Sequence, residues 1–376
     1  MCNPIPCGYS VRGYEMDSEL VYLSMICSKR MKLYISVLCG IIVIGAQAQG
    51  NYFKVDTVVS GKNNFPVLST VKNAQACRKI NQYMQISELR LFSNNQKKDL
   101  FDKNKTSARN NDGKIIAGFT IQSNSNKVFS LSFSETSYWH SSSWKLALYN
   151  FNSATGDLIE LPDLFTDEGF MQFKKIVLDK RTKTIDGISD SDKPSHNYWD
   201  YVKENFKNDD LTHFSISDST INIDSYNCLR GPDFMFMHAD INAKLNLASF
   251  KNLLNDYGKA VFGVSKEPVG KYHSKSVTQL YEGKIGDKGE IVLAIINATD
   301  GPDHNEVTGV YAYNKDGVGI YLDGIIQKDS LHLMETTIDD KGEGSIDAQI
   351  LNGQITGKWT SKAKDAVYKF EAKKVD

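Results

Sequence analysis

The sequence predicts an α+β module followed by an all-β module that forms an eight-stranded antiparallel up-and-down barrel. The first module, residues 51–263, combines apolar runs with a helical repeat and runs that alternate between apolar and polar residues. The second module, residues 266–376, contains eight short strand-like runs separated by polar turns. With 41% hydrophobic and 11% aromatic residues, the chain of 376 residues has enough apolar side chains for real cores.

Both helices and strands are predicted in the first module. Between Thr70 and Leu91, apolar residues return repeatedly to one helical face, which predicts a helix in this segment. The same pattern predicts further helices at 170–177, 198–206 and 246–262. Alternating runs predict strands at 52–59, 129–133, 144–151, 214–217 and 220–224.

The pattern of short strand-like runs and turns is more regular in the second module than in the first. Its eight predicted strands are 277–285, 290–297, 307–313, 319–326, 331–337, 344–351, 354–360 and 366–372. Asp316-Gly317 and Asn352-Gly353 are strong signals for hairpin turns. Antiparallel strands joined only by hairpins close naturally into a barrel, because closure leaves no unpaired edge. The strand count resembles that of lipocalin- and avidin-like barrels, in which the interior is filled by side chains or holds one small ligand.

A secretory signal peptide is predicted at residues 31–48. An apolar run from Leu33 to Ala46 follows three basic residues, and Ala46 and Ala48 are the small residues expected before a cleavage site at Gln49. This run of about 14 residues is shorter than the roughly 20 residues that a membrane-spanning helix needs. We therefore expect no transmembrane segment after signal cleavage.

The residues before Met31 are interpreted as an upstream extension that arises from the choice of start site. No fold is predicted for residues 1–30. A lipoprotein anchored at Cys39 is the alternative to a cleaved signal peptide. Leu38 stands where lipidation usually requires Gly, Ala or Ser, so the sequence favours the cleaved signal.

The net charge of the chain and its lack of known catalytic motifs limit the classes of function that the sequence supports. The chain has 44 Lys and Arg against 45 Asp and Glu, a formal net charge of −1, whereas a nucleic-acid binder normally carries a clear basic excess. The sequence contains no P-loop, no G-x-G-x-x-G, no H-E-x-x-H and no G-x-S-x-G. It therefore predicts no nucleic-acid partner, no cofactor and no metal site, and it favours a non-enzymatic role while leaving an enzymatic one open.

Three carboxylates in the middle of the first module invite a catalytic interpretation. Asp163, Asp167 and Glu168 are close enough in sequence to suggest the carboxylate pair of a glycosidase. They also flank the start of a predicted helix, where acidic side chains cap and stabilise the first turn. The sequence favours this capping role.

Two cysteines remain once the predicted leader is removed. Cys77 and Cys228 form an even number in an oxidising compartment, and we expect them to form a disulfide. The alternative is two buried free thiols.

Several loose motifs in the first module resemble a known family. They are Phe65-Pro66 before a helix that carries Ile80-Asn81, the strand–turn–strand from Tyr138 to Trp144, the run at 150–165, and the strand at 221–226 before a closing helix. Together they resemble the paired extracytoplasmic domains of unknown function found in PdaC-type peptidoglycan deacetylases and in the lysozyme-sensing RsiV anti-sigma factor.

The resemblance covers about residues 60–262 and implies a function outside the membrane. In the anti-sigma factor the domain implies direct binding of lysozyme, and in the deacetylase it accompanies a separate catalytic domain that is missing here. The family usually has a Gly-Gly-Ala-His-like tip where this chain has Tyr138, Trp139 and His140. Exposed aromatic side chains flanked by serines form a low-entropy contact patch, so these three residues are the predicted binding site.

These expectations combine into one functional hypothesis. The chain is expected to be a periplasmic or secreted protein of a bacterial envelope, in which an α+β recognition module binds a wall-associated partner, either a lysozyme-like protein or peptidoglycan. One alternative is a small-ligand carrier that uses the interior of the barrel. Another is a cell-wall enzyme whose site the sequence does not reveal.

Overall fold

The computed structural model describes residues 51–60, 62–70, 72–92, 114–137, 143–188, 196–225, 241–300, 305–336 and 344–376. The predicted signal peptide and the extension before it lie outside these ranges. An antiparallel hairpin of β1 (Lys54–Ser60) and β2 (Asn63–Ser69) comes first.

Helix α1 (Ala74–Met84) follows the hairpin and continues as a π-helical turn at Gln85–Leu89. It begins later than Thr70 because Asn73 caps it, its side chain accepting from the Ala76 amide at 3.1 Å. It ends at Arg90, whose left-handed backbone (φ 52°) stops the helix.

Two small antiparallel sheets and two longer helices follow in the first module. The first sheet contains β3 (Lys114–Asn124), β4 (Val128–Ser137) and β5 (Ser143–Asn152), in that order. The helices are α2 (Asp167–Asp186) and α3 (His196–Lys207). The second sheet contains β6 (Phe214–Ser217), β7 (Thr220–Ile223) and β8 (Ala243–Asn246).

The segment at 246–262 is not the single helix that its apolar spacing predicts. Residue 246 ends β8, two 3₁₀ turns follow at Leu247–Ser249 and Lys251–Leu253, and a short helix α4 covers only Asp256–Val261. Asn255 explains the interruption. Its side chain accepts from the Gly258 amide at 2.9 Å and donates to the carbonyls of residues 163 and 165, at 2.9 and 2.8 Å, so it caps a new helix and anchors the chain.

The predicted barrel is confirmed as a closed, eight-stranded antiparallel barrel. Each strand pairs with the next in sequence, and the last pairs with the first. The strands are β9 (Leu280–Ile285), β10 (Gly289–Asp300), β11 (Asn305–Tyr313), β12 (Gly319–Gln327), β13 (Ser330–Thr336), β14 (Gly344–Leu351), β15 (Gln354–Ser361) and β16 (Val367–Lys374).

Side chains fill the described interior of the barrel. Alternate residues of every strand point inward and form one buried cluster, which includes Tyr281, Leu293, Tyr311, Trp359 and Phe370. Glycine allows neighbouring strands to approach closely. A Cβ at position 324 would lie 1.9 Å from the carbonyl oxygen of residue 332 on the neighbouring strand.

A second core joins the barrel to the first module. Outward-facing side chains of β9, β10 and β11, such as Leu280 and Val292, belong to the same buried cluster as Phe65 of β2 and Ile80 of α1. The Tyr83 hydroxyl also donates to the Ile295 carbonyl at 3.2 Å. Residues Asn51–Asp376 therefore form one compact unit, although the predicted module boundary lies within it.

The shared core predicts a single cooperative unfolding transition. Leu280→Ala removes a side chain of the shared core, and Leu293→Ala removes one from the barrel interior. Each change should lower the stability of the same transition by about 2–5 kcal/mol, measured by urea unfolding and calorimetry. Leu351→Ala is the control, because Leu351 is 63% exposed and its loss should have almost no effect. Two resolved transitions, each sensitive to only one of the core changes, would contradict the shared core.

Candidate functional site

The predicted binding residues belong to the connection between β4 and β5. The two strands stay paired from Val128↔Asn152 to Ser137↔Ser143, so their hairpin ends at residues 138–142. Tyr138, Trp139 and His140 lie in that connection, outside the described residues. Their role stays a prediction.

Cys77 is described as a buried thiol on α1. Its Sγ atom donates to the Leu68 carbonyl at 3.2 Å, and burial raises the pKa of the thiol to about 11. A thiol with such a pKa is almost entirely protonated at neutral pH and therefore unreactive. Cys228 lies outside the described residues, so the disulfide between the two cysteines stays a prediction.

The three carboxylates at 163–168 serve the local fold. The side chain of Asp163 accepts from the Glu160 amide at 3.1 Å and from the Ser274 hydroxyl at 2.6 Å. Burial raises the pKa of Asp163 from its usual value. Asp167 and Glu168 lie in the first turn of α2, where negative charge is favourable. This arrangement agrees with the capping role that the sequence favours.

A buried cluster of charged side chains surrounds Asp157, and we call it the Asp157 cluster. Asp157 is 0% exposed and forms an ion pair with Lys79 of α1, which is 1% exposed. Its other carboxylate oxygen, Oδ2, lies 2.9 Å from His273 Nδ1 and 3.5 Å from Lys374 Nζ. Lys79 also donates to the Val375 carbonyl. The cluster therefore joins α1, the turn after β5, the connection before the barrel and the end of β16.

A tight turn after β5 brings Asp157 to the helix. Gly156 has a left-handed backbone (φ 74°), and a Cβ there would lie 2.9 Å from the Ala76 carbonyl oxygen of α1. Only glycine combines this conformation with such a close approach. Hydrogen bonds between the backbones of Asn152 and residues 156 and 157, at 2.8 and 2.9 Å, close the turn.

The electrostatics of the cluster keep Asp157 ionised. Burial acts to raise the pKa of Asp157, but the ammonium groups of Lys79 and Lys374 outweigh it and lower the pKa below the usual value. Burial lowers the pKa of Lys79, and the Asp157 carboxylate opposes that shift. Because cations contact both of its oxygens, Asp157 is placed to hold segments together rather than to accept a proton from a substrate. Among the four side chains, His273 is the one with substantial exposure, at 53%.

A second polar cluster lies inside the barrel. The Tyr311 hydroxyl and the Trp359 indole N–H both donate to Glu335 Oε1 at 2.5 Å. Burial raises the pKa of Tyr311 well above its usual value. The Lys288 ammonium lies 3.3 Å from the centroid of the Trp359 ring, a cation–π contact. These contacts give Glu335 Oε1 and the polar atoms of the two rings hydrogen-bond partners inside the packed interior.

An open groove lies between α1 and the outer wall of the barrel. Its volume is about 690 Å³. Arg78 and Gln82 line it from the helix, and charged side chains of β9, β10 and β16 line it from the barrel. The groove has a size typical of small-ligand sites. We call it the α1–barrel groove.

Sequence reasoning missed both the cluster and the groove. Asp157 ends the turn-like segment Ala154-Thr155-Gly156-Asp157, and its partner Lys79 is 78 residues away in the sequence. Lys79 lies off the helical face that Cys77 and Ile80 define, because each residue turns the helix by about 100°, so the spacing predicts an exposed lysine and not a buried one. Nothing in the sequence identified its partner.

Comparisons with known proteins identify no family. Neither the scan against protein-family models nor the search of curated proteins gave a match. Within the described ranges, no group of three or more His, Cys, Asp or Glu side chains is placed to hold a metal ion. In that same part of the chain, every helix is too short or too polar to cross a membrane.

Asp157→Asn should be strongly destabilising. The substitution keeps the size of the side chain but leaves Lys79 as a buried charge without its carboxylate, which costs about 3–5 kcal/mol. Urea unfolding at pH 7 measures the loss. The control is Asp186→Asn, which breaks an exposed pair with Lys203 and should cost at most about 1 kcal/mol.

Comparing the wild type with Asp157→Asn at different pH values gives a second prediction. Because folding lowers the pKa of Asp157, its stabilising effect is fully present above the unfolded value of 3.8 and is lost as the pH falls through the lower folded value. The stability difference between the wild type and Asp157→Asn should therefore shrink below about pH 4. A difference that is small at pH 7, or constant down to pH 2, would contradict this account.

Proposed function

We propose that this chain is an extracytoplasmic, non-enzymatic binding protein. It recognises a wall-associated protein, of the lysozyme type, or a peptidoglycan glycan through Tyr138, Trp139 and His140. The predicted signal peptide places it in the periplasm or outside the cell. The loose motifs shared with the peptidoglycan deacetylase and anti-sigma factor domains supply the class of partner.

The main structural support for the proposal is the β4–β5 hairpin. Its ten consecutive pairs run without a register shift, from Val128↔Asn152 to Ser137↔Ser143. A regular hairpin of this length gives the connection at 138–142 a well-defined base. Binding residues commonly lie on such loops, held by a rigid scaffold.

Contacts on both faces anchor the hairpin. On one face, Phe133 and Tyr149 are buried in the core that is shared with the barrel. On the other, the Ser130 hydroxyl donates to Asn150 Oδ1 at 2.7 Å, and the Asn150 amide donates to the Phe214 carbonyl of β6 at 2.8 Å. The hairpin is therefore fixed from both sides, which lowers the entropic cost of presenting a binding loop.

The packing of the barrel favours this proposal over a ligand carrier. A carrier of the lipocalin or avidin type needs an internal space for its ligand. In the described strands, inward positions hold large side chains such as Tyr281, Leu293 and Phe370, and Trp359 packs against the backbone of Gly344. The barrel is better suited to support the first module than to enclose a ligand.

Trp139→Ala tests the proposed binding residues. If Trp139 is a contact anchor, the change should weaken binding about thirtyfold, or by about 2 kcal/mol, with an almost unchanged melting temperature. Binding is measured by titrating the chain from Gln49 with lysozyme and, separately, with soluble peptidoglycan fragments. Tyr201→Ala is the matched control, since Tyr201 is an aromatic residue of α3 that is 48% exposed.

Two results would overturn the proposal. One is an absence of binding to both partners at millimolar concentration. The other is a loss of stability of about 3–5 kcal/mol in Trp139→Ala, which would identify Trp139 as a core residue.

A further inference from the structure

Four aromatic side chains and one carboxylate lie together at the barrel end that contains the turn between β9 and β10. Trp359 and Tyr368 are directly opposite each other on β15 and β16, and their ring centroids are 5.9 Å apart. On β11, the rings of Tyr311 and Tyr313 are 5.6 Å apart. Glu335 of β13 joins the two pairs, because its Oε1 accepts from the Tyr311 hydroxyl and the Trp359 indole N–H. We call these five residues the barrel-end cluster.

The second carboxylate oxygen of Glu335 has no donor. Glu335 is 6% exposed, and the inward-facing residues before it on β13, Leu331 and Leu333, are apolar. Within the described part of the chain, its Oε2 has neither a hydrogen-bond donor nor a cation in contact. Oε2 is not one of the fully enclosed polar atoms of these residues, so it still contacts solvent. A charged acceptor in an apolar setting is costly, so Oε2 marks a place that an outside donor can reach and where a donor belongs.

The rings of the barrel-end cluster already hold ammonium groups that belong to the chain itself. Lys288, in the turn between β9 and β10, places its Nζ atom 3.3 Å from the centroid of the Trp359 ring and 5.7 Å from that of Tyr368. Lys315, in the turn after β11, places its Nζ atom 5.7 Å from the Tyr313 centroid. Among the described residues, neither lysine forms an ion pair with the buried carboxylate. The rings are therefore arranged to hold a cation, while the carboxylate at the edge of the Trp359 ring is not bonded to one.

We propose that the barrel-end cluster binds a small organic molecule through its primary ammonium group. The ammonium group takes the place of Lys288 on the Trp359 ring and donates one N–H to Glu335 Oε2. Both contacts are favourable, because aromatic faces attract cations and a charge-assisted hydrogen bond is about twice as strong as a neutral one. The head group of Lys288 already has space on the ring, so the ligand needs no room in the packed interior.

The chemistry of the cluster favours a primary ammonium group over other ligands. A quaternary ammonium group has no N–H and would leave Oε2 of Glu335 without a donor. The carboxylate repels anions, and a neutral hydroxyl group gains no cation–π attraction from the rings. Displacing Lys288 is feasible because its ammonium group can return to water on a flexible four-carbon chain. The site is separate from the predicted binding loop at 138–140, so neither proposal depends on the other.

The experiment titrates the chain from Gln49 with n-butylammonium chloride at pH 7 and follows the indole N–H of Trp359 by two-dimensional NMR. The signal is assigned by its absence from the spectrum of Trp359→Phe. The wild type should show a saturable shift, and 1-pentanol, a neutral molecule of similar size, should bind at least about tenfold more weakly. Lys288→Ala removes the competing ammonium group of the chain and should bind butylammonium about tenfold more tightly. Lys358→Ala, at an exposed position next to Trp359 on β15, is the matched control and should bind like the wild type.

Glu335→Gln in the Lys288→Ala background tests the carboxylate. The amide keeps an oxygen for the donors of Tyr311 and Trp359 but carries no charge, so butylammonium binding should weaken about tenfold. Binding that this change leaves intact in a folded protein overturns the proposal. The proposal is also overturned if neither the wild type nor Lys288→Ala shows a saturable shift, if 1-pentanol binds as tightly as butylammonium, or if Lys358→Ala tightens binding as much as Lys288→Ala does. These last three results decide the question even if Glu335→Gln fails to fold.

Discussion

The buried ion pair between Lys79 and Asp157 is the contact on which the rest of the structure depends. It joins the first helix to the turn after β5, and His273 and Lys374 bring the connection and the last barrel strand to the same carboxylate. A buried charge is tolerated only when it is paired and hydrogen-bonded. Movement of the first module against the barrel would separate Lys374 from Asp157, and Lys79 from the Val375 carbonyl, in a medium of low polarity. The cluster therefore acts with the shared apolar core to fix the position of the two parts.

This constraint connects the architecture to the proposed binding function. The β4–β5 hairpin packs on the core that includes Ile80 of α1 and Leu280 of the barrel. This packing holds the base of the predicted binding loop rigidly in place. The groove between α1 and the barrel depends on the same cluster, because Lys79 of α1 also donates to the Val375 carbonyl just after the last barrel strand. The base of the predicted binding loop and the groove therefore depend on one junction.

The sequence predicted the barrel well because its signals are local. Alternation along each strand and turns such as Asn352-Gly353 act over a few residues, and their observed pairing follows the predicted order. Prediction was wrong at 246–262, where the capping contacts of Asn255 with a distant segment override helical spacing. The Asp157 cluster could not be predicted from the sequence, for a related reason. It assembles residues 79, 157, 273 and 374, and no short-range pattern encodes a pairing over such separations.

A double-mutant cycle on the buried pair tests this account most directly. Lys79→Met, Asp157→Leu and the double variant are compared with the wild type by urea unfolding at pH 7. If the pair is the centre of the cluster that joins the two parts, each single change leaves a buried group unmatched, and the double variant should be more stable than the sum of the single losses predicts. We expect a coupling energy of about 1.5–3 kcal/mol and one transition in every variant. A coupling energy near zero would contradict the central role of this contact.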